Sequence, residues 1–126
     1  MNMHSKLGAD VVANGRPYAR PQRPTVVICM DGSEPAYIAA ASAKGLTPNL
    51  DRIMRTGAST HAYSVIPSFT NPNNLSIITG RPPVVHGIAG NFFYDREAKE
   101  EVMMNDARLL RAPTILAAFQ QAGLKV

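Results

Sequence analysis

Residues Thr25 to Met30 read TVVICM, and Asp31-Gly32 follow at once. The run is apolar after Thr25 and rich in β-branched side chains. Such a run suits a strand covered on both faces, the condition of strands in a parallel sheet flanked by helices. Asp31-Gly32 then ends the strand with turn chemistry. A parallel sheet needs a crossover next, and EPAYIAAASAK, from Glu34, is Ala-rich and helix-forming.

Outward from there, the same alternation continues. In TPNLDRIMRTG, Thr47 to Gly57, Thr47 is placed to cap a helix and Pro48 to start it. Leu50, Ile53 and Met54 fall on one apolar face, and Gly57 can close the end in the left-handed conformation. Ser59 to Ile66 reads as a second strand. A helix is expected from about Asn71 to Thr79, closed by Gly80 and blocked from continuing by Pro82 and Pro83. NFFYD, from Asn91, and EEVMM, ending at Met104, suit a strand pair around a polar turn. APTILAAFQQAG, Ala112 to Gly123, repeats the Pro-start, Gly-stop helix pattern, with Ile115, Leu116 and Phe119 as its inner face. This order predicts an α/β fold with a mostly parallel sheet flanked by helices. LKV then begins a further strand that ends after three residues. A buried strand should run longer, so the sequence is expected to be an N-terminal fragment.

Toward the N-terminus, residues 1–24 lack hydrophobic periodicity and interleave Arg16, Arg20 and Arg23 with Pro17, Pro21 and Pro24. They read as an irregular Arg/Pro-rich arm. The net charge of +4 and this arm raise the question of nucleic acid, but no recognition motif accompanies them and aromatic residues make up only 6%. A solvated extension is the better reading, and no nucleic-acid partner is expected. With 126 residues and 45% hydrophobic content, the chain has room for one small globular domain. No apolar run approaches the roughly 18 residues of a membrane span. The first fifteen residues also lack a secretory pattern, so a cytoplasmic location without membrane partners is expected. Cys29 is the sole cysteine and lies within the apolar run, where a buried, inert thiol is expected.

Three residues carry chemistry in this pattern. Asp31 stands at the C-terminal end of the first strand, where open α/β sheets place ligand sites, and its carboxylate is a hard donor for a divalent metal. It serves a turn equally well. Thr70 stands in PSFTNPNNLSIITG at a helix start, where unpaired N–H groups and the helix dipole favour an anion. Its hydroxyl is either a cap or a nucleophile, and a threonine nucleophile needs a base or a metal to take its proton. Asn91 can donate amide hydrogens to a phosphoryl oxygen or simply serve a turn. His86 has no partner at ligand spacing and reads as a structural, hydrogen-bonded histidine.

Four pieces occur in order: MDG at Met30 to Gly32, LTPNLDRIMRTGA at Leu46 to Ala58, SFTNPNNLSIITGRPPVVHGI at Ser68 to Ile88, and GNFFYD at Gly90 to Asp95. Together they resemble the alkaline phosphatase superfamily, in its nucleotide pyrophosphatase/phosphodiesterase-like branch. The likeness is strongest to members that cleave the carbon–phosphorus bond of phosphonoacetate. It implies that residues 25–126 are the N-terminal part of an alkaline phosphatase-like catalytic domain. It implies two zinc ions, with Asp31 and Thr70 as metal donors, Thr70 as the nucleophile, and Thr70 and Asn91 binding the substrate. The implied partner is a small anionic substrate, phosphonoacetate, with a homodimer left open. The family's remaining ligands are absent from this sequence, so the chain alone is expected to bind zinc poorly and to be inactive. The rival readings are a phosphodiesterase or nucleotide pyrophosphatase of the same branch and, if the gene ends at Val126, a non-enzymatic fragment.

Overall fold

The computed structural model describes residues 10–126, and the chain divides into two units, residues 26–63 and the remainder. In the larger unit, the N-terminal segment is not irregular throughout. Residues Val11–Ala13 (β1) and Arg16–Tyr18 (β2) form an antiparallel hairpin in which Ala13 faces Arg16. The two-residue connection is Asn14-Gly15, with φ of 50° and 73°. Asn-Gly takes two positive φ values readily, and the resulting turn twist matches that of paired strands. Val11 and Ala13 are buried while Val12 between them is exposed, the period of a strand with one covered face. Pro17 is tolerated because a two-stranded hairpin has only edges.

The hairpin is fastened to the rest of its unit by side chains. Asn14 Nδ2 donates to the carbonyls of Thr79 and Pro113, at 2.9 and 2.8 Å. Arg81 donates to the Asn14 carbonyl. The Tyr18 ring meets Phe119 edge-on with centroids 6.4 Å apart. Arg20 Nη2 donates to the Ala122 carbonyl at 3.1 Å, a cation at the negative end of a helix. Asn14→Ala is expected to lower unfolding stability by about 2 kcal/mol, because two carbonyls lose their donor and the residue must still hold a positive φ. Urea unfolding of the two chains measures it.

Thr70–Thr79 (α3) follows, then the short Pro83–His86 (α4). Gly80 ends α3 in the left-handed conformation, φ 64°, as its position after the helix predicts. Phe92–Asp95 (β3) and Glu100–Met103 (β4) pair antiparallel, Phe92 opposite Met103, where the sequence placed a strand pair. After a 3₁₀ turn at Ala107–Leu109, Ile115–Gln121 (α5) is capped by Thr114, whose Oγ1 accepts the Ala117 N–H at 3.0 Å. The core of this unit is small: Val11, Ala13, Pro72, Thr79, His86, Ile88 and Ala112 are buried.

The smaller unit holds two helices, Pro35–Ala43 (α1) and Pro48–Thr56 (α2). They and residues 59–61 line a mostly apolar cavity of about 700 Å³. Thr47 sits at the cap position of α2, but its hydroxyl donates to Asp51 Oδ1 at 3.1 Å instead of accepting a backbone N–H. Gly57 ends α2 with φ −113°, not in the left-handed conformation.

The parallel sheet expected from Thr25–Met30 and Ser59–Ile66 is not formed among the described residues, whose sheets are the two hairpins. Neither segment has a ladder partner. Val26, Val27 and Ile28 are about four-fifths exposed, at 81, 80 and 78%. Cys29, expected to be buried, is exposed for the same reason. A doubly covered strand needs neighbours on both edges and both faces, and none of the described elements supplies them.

Candidate active site

The start of α3 holds Thr70 and meets Asn91. The helix begins at Thr70, one residue earlier than the sequence indicates, so Phe69 is its cap residue and caps nothing. Thr70 is therefore the first helical residue. It is not the cap residue, so the capping reading of this threonine does not hold. Thr70 is exposed.

The first turn has few ways to satisfy its donors. Pro72 has no N–H, and it is buried where none is needed. The Asn71 N–H is taken by Asn91 Oδ1 at 3.0 Å. Asn91 lies twenty residues along the chain, just before β3, and acts as a cap from outside the helix. The structure thus brings Asn91 beside the residue that follows Thr70. Within the NPNN run, Asn73 faces the other way along the chain. Its Oδ1 accepts the Val65 N–H at 3.4 Å and ties down the segment entering the helix.

Asp31 belongs to the smaller unit. It is exposed and its Oδ1 accepts the Gly32 N–H at 3.0 Å, with Gly32 at φ 70°. Ser33 closes the same turn on the Met30 carbonyl. The turn role of Asp31 is visible. Among the described residues no three His, Cys, Asp or Glu side chains gather as a metal site would require. Asp31 and Thr70 are only two oxygen donors, whereas a zinc centre takes three or four ligands. The residues present therefore do not fit a complete zinc centre.

His86 is fully buried. Its Nδ1 accepts the Ile88 N–H at 3.2 Å, so the proton sits on Nε2 and is donated to Ser76 Oγ, 2.9 Å away. Ser76 and His86 look like a nucleophile and its base, but this tautomer points the imidazole's donor at the hydroxyl and cannot take its proton. The pair is structural, as the sequence suggested for His86. It joins the middle of α3 to α4, and the His86 carbonyl accepts the Arg111 N–H at 3.0 Å. Burial pushes the His86 pKa below its ordinary 6.5, against backbone groups of Pro72 and His86 that favour the charged ring. The unfolded chain therefore binds the proton more readily. Stability linked to His86 is full above about pH 6.5 and is lost as pH falls below it toward the folded-state pKa. Urea midpoints measured from about pH 8 to pH 5 are expected to fall over that window, and His86→Gln is expected to flatten the decline while lowering stability throughout.

This geometry has relatives among known proteins. The model of the type I phosphodiesterase / nucleotide pyrophosphatase family matches residues 25–126. The chain belongs to that family. Among solved structures, it is similar to phosphonoacetate hydrolase from Sinorhizobium meliloti 1021. With the structure in complex with phosphonoacetate it shares 57% identity and a TM-score of 0.86, over 92% of this chain. With the phosphonoformate complex the figures are 59%, 0.84 and 90%. Curated relatives include ectonucleotide pyrophosphatase/phosphodiesterase 2 of Saccharomyces cerevisiae, 37% identical over 68% of this chain and 18% of that protein. Ectonucleotide pyrophosphatase/phosphodiesterase family member 3 of Bos taurus is 32% identical over 82% of this chain and 12% of its own. The chain spans 28% of the solved structures. These matches bear out the α/β class and the alkaline phosphatase-like resemblance drawn from the motifs.

Proposed function

We propose that this chain carries the nucleophile helix and a substrate-binding amide of a zinc-dependent hydrolase that splits phosphonoacetate into acetate and phosphate. The observation that supports it most is the 57% identity, at a TM-score of 0.86, to a phosphonoacetate hydrolase solved with phosphonoacetate bound. Identity to the pyrophosphatases and phosphodiesterases is lower, 32 to 38%. In this reading the Thr70 hydroxyl gives up its proton as Oγ attacks phosphorus, a loss balanced by the proton that the leaving carbon gains. The O–P bond forms, the C–P bond breaks, and carbon leaves with the electron pair as the enolate of acetate, which then gains a proton. Water hydrolyses the phospho-threonine, releasing phosphate and restoring the hydroxyl.

The chain's own residues do three things. The α3 N-terminus directs its dipole at the incoming anion. Thr70, as first helical residue, holds its oxygen at that end. Asn91 offers amide hydrogens to the phosphoryl group as charge builds. Two zinc ions complete the reading, and Asp31 and Thr70 are its donors within this chain. The proposed setting is cytoplasmic; no helix among the described residues is long and apolar enough to cross a membrane. A small anionic substrate is the proposed partner.

The test uses the full product of the gene that encodes this sequence. Release of acetate from phosphonoacetate is compared with cleavage of a bis-nitrophenyl phosphodiester. Preference for phosphonoacetate upholds the proposal. Preference for the diester transfers the site to the phosphodiesterase reading, which the family match and the pyrophosphatase relatives favour.

A further inference from the structure

We infer that Asn71 is a positioning residue that sets the orientation of the Asn91 amide, an inference that rests on the reading of Asn91 as a phosphoryl-binding group. Three hydrogen bonds close a ring at the start of α3. The Asn71 N–H donates to Asn91 Oδ1 at 3.0 Å. Asn71 Nδ2 donates to the Met104 carbonyl at 3.0 Å. The Met104 N–H donates to the Asn91 carbonyl at 2.7 Å, extending the β3–β4 ladder by one pair beyond Phe92 and Met103.

Each bond has a consequence for chemistry. Only the oxygen end of an amide accepts, so the bond from the Asn71 N–H decides which way the Asn91 side chain is turned. Oδ1 faces the helix, and the two Nδ2 hydrogens are left on the other side. An amide turned the opposite way would present oxygen to an anion and repel it. The backbone bond alone would leave the hairpin free to shift relative to α3. The side-chain bond from Asn71 to Met104 removes that freedom, because Met104 is itself paired to the backbone of Asn91. Asn71 thus grips both strands of the hairpin base, one through its backbone and one through its side chain. Asn71, Asn91 and Met104 are all half-buried, where water competes less for these bonds. Donors fixed before the reaction stabilise developing charge without reorganising, so the ring acts on the rate through Asn91.

The experiment combines hydrogen exchange with kinetics on the full gene product. Exchange of the Asn71 amide is followed in the parent, Asn91→Ala and Asn91→Asp proteins. Aspartate keeps an acceptor and loses the donor, so Asn71 is expected to stay protected with Asp and to lose protection with Ala. Unchanged protection in Asn91→Ala overturns the inference, whatever substrate the protein accepts. For phosphonoacetate turnover, Asn71→Ala and Asn71→Asp are each expected to lower kcat/KM about tenfold. In the Asn91→Ala background they are expected to add less than about threefold, because their effect travels through the missing amide. A full tenfold loss in the double variants overturns the inference by showing that Asn71 acts independently. Absence of any phosphonoacetate turnover in the parent defeats the functional reading alone and leaves the exchange result to decide the ring.

Discussion

Replacing Thr70 with alanine in the full gene product is expected to abolish formation of a phospho-threonine intermediate and to lower phosphonoacetate turnover by about a thousandfold or more. Stability is expected to change by no more than about 0.5 kcal/mol, as for an exposed surface position. The turnover half rests on the proposed nucleophile role, and the stability half on the place of Thr70 in the fold. Thr70 is the first residue of α3, not its cap, and is exposed. Were it an ordinary cap, alanine would cost about 1 kcal/mol and leave turnover intact. Acid-quenched mass spectrometry for the phosphorylated peptide, beside a urea titration, separates the two patterns. Retained turnover with a destabilised fold would falsify the nucleophile assignment.

The second large effect concerns the other end of the same helix. Gly80→Ala is expected to destabilise the chain by about 2 to 4 kcal/mol through two separable causes. Gly80 has φ 64°, so any side chain there is strained. A Cβ would also lie 2.3 Å from Tyr18 Oη. Tyr18 cannot simply swing away, because its ring packs edge-on against Phe119. Gly123→Ala serves as the control: its φ is 80°, but nothing lies within 4 Å of the added carbon. It is expected to cost only the conformational part, about 1 kcal/mol. Adding Tyr18→Phe to Gly80→Ala removes the clashing oxygen, and the next atoms, Tyr18 Cζ and Ile115 Cδ1, stand at 3.6 and 3.7 Å. The double variant should recover to near the control. Failure to recover would show that the clash is not the main cause.

Helices α1, α2, α3 and α5 are legible in the sequence because their signals are local, whereas α4 opens at Pro83, which reads in the sequence only as a stop to α3. Prolines 35 and 48 open α1 and α2, and Gly80 closes α3, each acting through its own backbone. The β3–β4 pair is legible for the same reason, since its strands lie on either side of a single turn. TVVICM is the opposite case. Its composition states what a strand there would need, but the ladder partners are set by other parts of a fold, and among the described residues it has none. The N-terminal hairpin, expected as an irregular arm, does carry a local signal. Asn14-Gly15 between VVA and RPY is a strong hairpin mark, masked by the arginines and prolines around it. At the site, the helix, its threonine and Asn91 can be named from motifs. What cannot be read is that Asn91, twenty residues away, supplies the cap that Phe69 lacks. That bond depends on where the hairpin folds back, a tertiary fact with no local signature.

The N-terminal hairpin also bears on where this protein can be shortened. The family-model match begins at Thr25, which invites removal of everything before it. Yet Asn14 holds the carbonyls of Thr79 and Pro113, one at the end of α3 and one just before α5. Cutting at the family boundary would strip both carbonyls of their donor and uncover the Phe119 side of α5. The family-model match is therefore shorter than the folding unit, and the phosphonoacetate hydrolase structures, which cover 90 to 92% of this chain, reach further upstream with it.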